Sequence, residues 1–170
     1  MKLKKLRNKY LAKSVNRKSI IEIEDSIKNM DGSFIGDSVN CPLKHSFSDG
    51  IYVREIFIPA NTILTGKIHK HDHPNFLLKG KVVVATEFGG VEELDAPLSM
   101  ISKAGTKRVV QTITDTVWVT IHHNPTNTQD LEKLERDIIA KDYQEYDSFR
   151  TKRIGLKNII FAYIKKYLNI

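Results

Sequence analysis

The sequence predicts a mainly β protein: one antiparallel barrel carrying helical extensions at its N- and C-terminal ends. Three observations carry this reading. From residue 51 the chain runs through short β-rich segments, "IYVREIFI", "TILTGKIH", "NFLLKG", "KVVVAT", "LSMIS", "KRVVQTIT" and "TVWVTIH". The breaks between them hold "PAN", "HDHP", "EFGG", "DAP", "KAG" and "TDT", whose Pro, Gly, Asn and Asp suit tight connections. No helix-period segment interrupts these runs to suggest parallel crossovers, so antiparallel pairing is expected.

In chain order, residues 1–30 read as a basic, partly helical arm. Leu3, Leu6, Tyr10 and Leu11 recur at helical spacing, in a segment too short to hold a helix in water without a surface to pack on. Residues 31–49 are rich in Gly, Ser, Asp and Asn and read as a loop with room for one short strand. Residues 50–125 form the expected barrel. Over residues 126–170 the pattern turns helical. Thr128 or Asp130 can cap a helix whose Leu131, Leu134, Ile138 and Ile139 recur at helical spacing. A last amphipathic, basic segment places Leu156, Ile160, Tyr163, Ile164 and Tyr167 on one face, to be buried against the body or a neighbouring subunit.

The net charge of +7 over 170 residues is unevenly spread. Residues 1–18 hold eight lysines and arginines and residues 150–170 hold six, with no acid in either stretch, so all 20 acids lie between them against 13 basic residues. The middle is therefore acidic, and the basicity belongs to the ends. Lys2, Lys4, Lys5, Arg7, Lys9 and Lys13 are candidates to contact nucleic acid, an anionic surface or other proteins of an assembly. The alternative is that the arm folds back on its own acidic body. The single cysteine, Cys41, excludes an intramolecular disulfide, and no run approaches the roughly 20 apolar residues of a membrane span. A cytoplasmic protein is expected.

Within "GKIHKHDHPNF", residues 66–76, three of the six histidines stand at every second position. Lys70, Asp72 and Pro74 mark a turn rather than one continuous strand, which leaves His69 ending one strand and His73 opening the next, facing each other. His71, between Lys70 and Asp72, reads as a solvated turn residue. A third imidazole would come from His122 or His123 at the end of "VWVTIHH". Alternation lets only one of them face inward, and the aliphatic company of His123 (Val117, Val119, Ile121) looks more like a core face than that of His122 (Trp118, Thr120). Neutral imidazoles suit one divalent transition metal, but a structural hydrogen-bonded histidine pair fits the same spacing. Glu87, Glu92, Glu93 and Asp95 stand near turns with no spacing that couples them to the histidines as acid and base, and no catalytic residue is identified.

Set in a barrel, these histidines resemble the first motif of the cupin superfamily of small jelly rolls, Gly-x5-His-x-His followed by Glu and Gly. His69, His73 and Gly80 reproduce the spacing of its second His, its Glu and its closing Gly, while Lys67 and Asn61 stand at the first His and the leading Gly. "KAGTKR", residues 103–108, resembles the second motif, Pro-x-Gly-x2-His, with Lys103 for the Pro and Arg108 for the ligand His. Residues 50–140 also look like small cupin-like proteins encoded by tailed bacteriophages. The resemblance implies a cupin-type jelly roll, pairing into a homo-oligomer, and a location in host cytoplasm or virion. Because Arg108 cannot ligate a metal and stays charged, it and Asn75 are candidates for holding a small anionic ligand. Three functions follow as expectations. The first is a non-catalytic accessory or structural protein, such as a phage virion or assembly component, working through basic termini. The second is a metal-dependent enzyme acting on a small molecule, and the third is an anion-binding barrel.

Overall fold

The structure, a computed structural model, describes residues 15–34 and 39–168, and in the last helix the side chains as far as residue 165 except those of 162 and 164. Lys2, Lys4, Lys5, Arg7, Lys9, Lys13 and the apolar spacing of residues 3–11 lie outside the described residues, as do the side chains of Ile164 and Tyr167.

Two antiparallel sheets face each other. Strands β1 (Leu43–Ser48), β2 (Ile51–Ile58), β5 (His73–Lys79), β8 (Leu98–Ser102) and β10 (Thr116–His123) form one, in the order β1-β2-β10-β5-β8. Strands β3 (Ile63–Thr65), β6 (Lys81–Thr86), β7 (Gly90–Asp95) and β9 (Arg108–Thr112) form the other, in the order β3-β9-β6-β7. The hairpins β1–β2 and β6–β7 each stay within one sheet while β3, β5, β8, β9 and β10 are reached by crossing between the sheets, and the architecture is an antiparallel jelly roll with helices at its ends. A two-strand ribbon of β4 (Ile68–His69) and β11 (Ile139–Ala140) joins the C-terminal region to the barrel.

One strand fills the room the sequence reading left for it, and another departs from that reading. The stretch read as loop with room for a strand contains β1, whose Leu43, His45 and Phe47 are half-buried while Lys44, Ser46 and Ser48 face water. Gly90–Asp95 forms edge strand β7 with Glu92 and Glu93 exposed, a composition without the β-branched run that reveals central strands.

Between the sheets, Leu77 and Trp118 from one meet Val82, Val84 and Val110 from the other, all buried. Each such side chain contributes roughly 1.5–3 kcal/mol by leaving water. Leu77→Ala should therefore destabilise the chain by about 2–5 kcal/mol in urea unfolding, whereas Leu78→Ala, one residue along and 53% exposed, should cost far less. The β5–β6 turn needs Gly80: its φ is +102°, and a Cβ there would stand 2.6 Å from the Asp115 carbonyl oxygen.

Helix α1 (Arg17–Lys28) starts at a capping box, in which Asn16 accepts from the Ser19 amide while Ser19 Oγ accepts from the Asn16 amide. Its Ile20 and Ile23 pack on Val109, Ile63 and Ala85, the outer face of the four-stranded sheet. Glu24 fixes its orientation by accepting from the buried Lys107 ammonium at 2.9 Å and from the Thr65 hydroxyl at 3.1 Å. Helix α2 (Leu131–Ile138) is capped by Asp130, which accepts from the Lys133 amide. It lays Leu134 and Ile138 on Tyr52, closing one end of the barrel, while Leu131 is exposed and Ile139 passes into β11.

Helix α3 (Tyr143–Leu168) is anchored by Tyr146, buried against Ile68 and Ala140. Asp147, Phe149 and Arg153 still meet Arg17 and His71, but further on Leu156 and Ile160 are 60% and 50% exposed, so the expected burial against the chain's own barrel does not occur.

Candidate metal centre

The register of the five-stranded sheet builds one site. Asn75 on β5 pairs with Thr120 on β10, and two residues further on each strand stand His73 and His122, on the same side by alternation. His69 arrives from β4, whose backbone is held by Ile139 of β11 and by the Gly105 amide donating to the His69 carbonyl at 2.9 Å. The connection between them is pinned by Asp72, which accepts from the Ala104 amide at 2.8 Å and pairs with Lys103 at 3.1 Å. The ring centroids of His69 and His73 lie 4.0 Å apart, those of His69 and His122 5.0 Å, and those of His73 and His122 4.8 Å. One ring nitrogen of each lies within 4.8 Å of the other two.

The choice between His122 and His123 is resolved against the sequence expectation. His122 is buried beside Trp118 and Thr120, while His123 is exposed on the outer face with Val117 and Ile121. Alternation holds, but both faces of β10 are apolar, so aliphatic company does not mark the barrel interior. His71 is exposed, edge-on to Phe149 with ring centroids 5.5 Å apart. His71→Ala should accordingly leave both unfolding stability and metal content nearly unchanged. Asn75, fully buried, donates to the His73 carbonyl at 3.1 Å and to Ser102 Oγ, and accepts from Trp118 Nε1 at 3.0 Å. Its polar atoms are committed to the wall beneath the histidines.

The donor chemistry fits a transition metal. His73 Nδ1 lies 3.2 Å from the His71 carbonyl, which can only accept, so Nδ1 carries the proton and Nε2 the lone pair. That Nε2 is buried with no hydrogen-bond partner among the described residues, and a ligating histidine anchored through its other nitrogen has this arrangement. Burial holds His73 down to about 4 and His122 to about 3, with His73 adding to the effect on His122. His69 is depressed well below its ordinary value, by burial first and then by His73, His122 and two arginines. All three are neutral at neutral pH, the state a metal needs. Imidazole ligands about 2.0–2.1 Å from one ion stand about 3.4 Å apart, which small side-chain rotations can reach.

Sequence reasoning passed over the surroundings. Tyr52, directly opposite His122, stacks on it at 5.9 Å and on Phe47 at 5.4 Å. His45 on β1 places Nδ1 2.7 Å from the Tyr52 hydroxyl. Arg54 shares their side of β2, opposite Thr120. The period-two order His45, Phe47 and Tyr52, Arg54 around the Asp49–Gly50 turn is the signal that could have grouped them. Arg108 enters from the facing sheet, donates to Ser102 Oγ and lies 5.8 Å from the Trp118 ring centre. The turn acids stand apart: Glu92 and Glu93 are exposed on β7, Asp95 is exposed and pairs with Lys81, and Glu87 is engaged by Arg17.

No family model and no curated protein matches the sequence. Among solved structures, ectoine synthase from P. lautus is similar at 11% identity over 66% of this chain and 83% of that one, with a TM-score of 0.48. A cupin superfamily protein from Desulfitobacterium hafniense is 10% identical over 53% of this chain and 83% of its own, with a TM-score of 0.43. The EutQ protein of Clostridium difficile is 10% identical over 53% and 75%, with a TM-score of 0.42. The jelly-roll assignment rests on strand order and register in this chain.

Proposed function

We propose that the barrel is a metal-binding protein in which His69, His73 and His122 hold one divalent transition-metal ion. The observation that supports this most is the buried, unpartnered Nε2 of His73 beside two other neutral imidazoles. A buried polar atom left without a partner costs about 1–3 kcal/mol, and ligation would remove that cost. An all-imidazole set favours zinc, nickel, copper or iron over magnesium or calcium. Three protein ligands leave a coordination position open, where a bound ion supplies Lewis acidity to a small molecule. In that setting His73 holds its proton at Nδ1 against the His71 carbonyl, and α2, through Leu134 and Ile138 on Tyr52, keeps that end of the barrel apolar. No helix among the described residues is long and apolar enough to cross a membrane.

Metal binding to the folded form alone should raise the unfolding midpoint. At a free zinc or nickel concentration of about 100 times the dissociation constant the gain is about 2.7 kcal/mol, reversed by chelator. A chain whose midpoint moves equally with and without His73 lacks this site.

A second reading, a non-catalytic component of an assembly as in the resembled phage-encoded proteins, is supported by α3. Ile159, Phe161 and Tyr163 are each more than 60% exposed on a segment whose charged residues are all basic. Removing residues 154–170 should leave the barrel's unfolding midpoint unchanged and lower the subunit number seen by light scattering. An unchanged subunit number would remove self-association through this helix.

A further inference from the structure

The histidine cluster is flanked by two guanidiniums from opposite sheets. Arg54 projects from β2 and Arg108 from β9, and both are half-buried. Neither lies within 4.0 Å of a carboxylate among the described residues, unlike Lys107, whose buried ammonium is met by Glu24. Among the described residues Arg108 meets the Ser102 hydroxyl and the Trp118 ring. The acid that acts on Arg54 from a distance, Glu135, is itself bonded to Lys67. Arg54 lies opposite Thr120, two residues from the Tyr52–His122 pair, and Arg108 reaches the hydroxyl of Ser102, the residue directly opposite His73, so the two charges flank the histidines from the two sheets.

An arginine does not discharge by losing its proton, so the flanking pair holds two positive charges in a partly desolvated space whose histidines are neutral. Leaving such charges unpaired is costly. Guanidinium forks match the paired oxygens of carboxylate and phosphate groups.

We propose that the barrel interior binds a small dianion, a dicarboxylate or a phosphate monoester, held between Arg54 and Arg108 beside the histidines. This deepens the metal-centre reading and rests on it for the place in the barrel, not for the ion. The dianion supplies the two negative charges that the lining lacks. With an ion also bound, one of its oxygens takes the open coordination position.

The test is the shift in unfolding midpoint produced by malonate, succinate or inorganic phosphate, against sodium chloride at matched ionic strength, with chelator present and with zinc added. The proteins are the full chain, Arg54→Met and Arg108→Met, with Arg54→Lys and Arg108→Lys used if a methionine variant does not fold. The expected result is stabilisation of the full chain by dianions beyond chloride, in chelator as well as in zinc. Affinity should fall about tenfold or more in each arginine variant. The carboxylate and phosphate arms tell the two oxyanion classes apart. A response equal to chloride overturns the proposal, as does a dianion response undiminished in both variants. A response seen only with zinc and insensitive to both arginines leaves the metal centre standing and removes the dianion site. Dianion binding in a chain that takes up no metal does the reverse.

Discussion

Metal-free protein should lose stability steeply as the pH falls below about 6.5, the ordinary histidine value. His73 and His122 are held to about 4 and about 3 in the folded chain, chiefly by burial. Between the unfolded and folded values the unfolded chain binds more protons, so acid favours unfolding; above the unfolded value the histidines are neutral in both states and the loss vanishes. Each buried histidine contributes a slope of up to about 1.4 kcal/mol per pH unit, so two of them acting over about two units cost on the order of 5 kcal/mol. His69 is shifted in the same direction and steepens the fall. Urea unfolding of chelated protein at stepped pH reads this directly, and His122→Phe should flatten the profile. A profile that is level down to the carboxylate range would mean that the histidines are not buried together.

Exchanging the roles of two adjacent residues should have the other large effect. His122→Ala should weaken zinc or nickel binding on the order of 100-fold or more, since loss of even a residue supporting a ligand costs about 10–100-fold. His123→Ala should change it little, because that side chain is exposed on the opposite face of β10. The comparison controls for general damage to the strand, as both substitutions shorten a histidine at its end. Equal losses would place the metal, if any, at the surface.

The parts of the fold legible in sequence were those whose pattern is local. "IYVREIFI", "KVVVAT" and "TVWVTIHH" declare strands by β-branched content, and Asp130 marks the start of α2. Strands β1 and β7 were harder because their outward residues, lysine, serines and glutamates, are the composition of loops. For the site, spacing alone suggested that His69 and His73 meet. The third member could not be chosen by alternation, because the outer face of β10 is as aliphatic as the inner one is mixed. The approach of Arg54 and Arg108 to the strands that carry the histidines is tertiary: the residues lie on different sheets, one opposite Thr120 and the other bonded to Ser102. The exposure of Leu156 and Ile160 was equally beyond a helical wheel, which identifies an apolar face but not its occupant.

The central claim, that three imidazoles form one metal site, is tested most directly by titrating chelator-stripped protein with zinc and counting the ions bound. The account predicts saturation at about one ion per chain, abolished in a His69→Ala/His73→Ala double variant and retained in His71→Ala. It would be contradicted by the absence of stoichiometric binding to the intact chain, or by equal binding in the double variant.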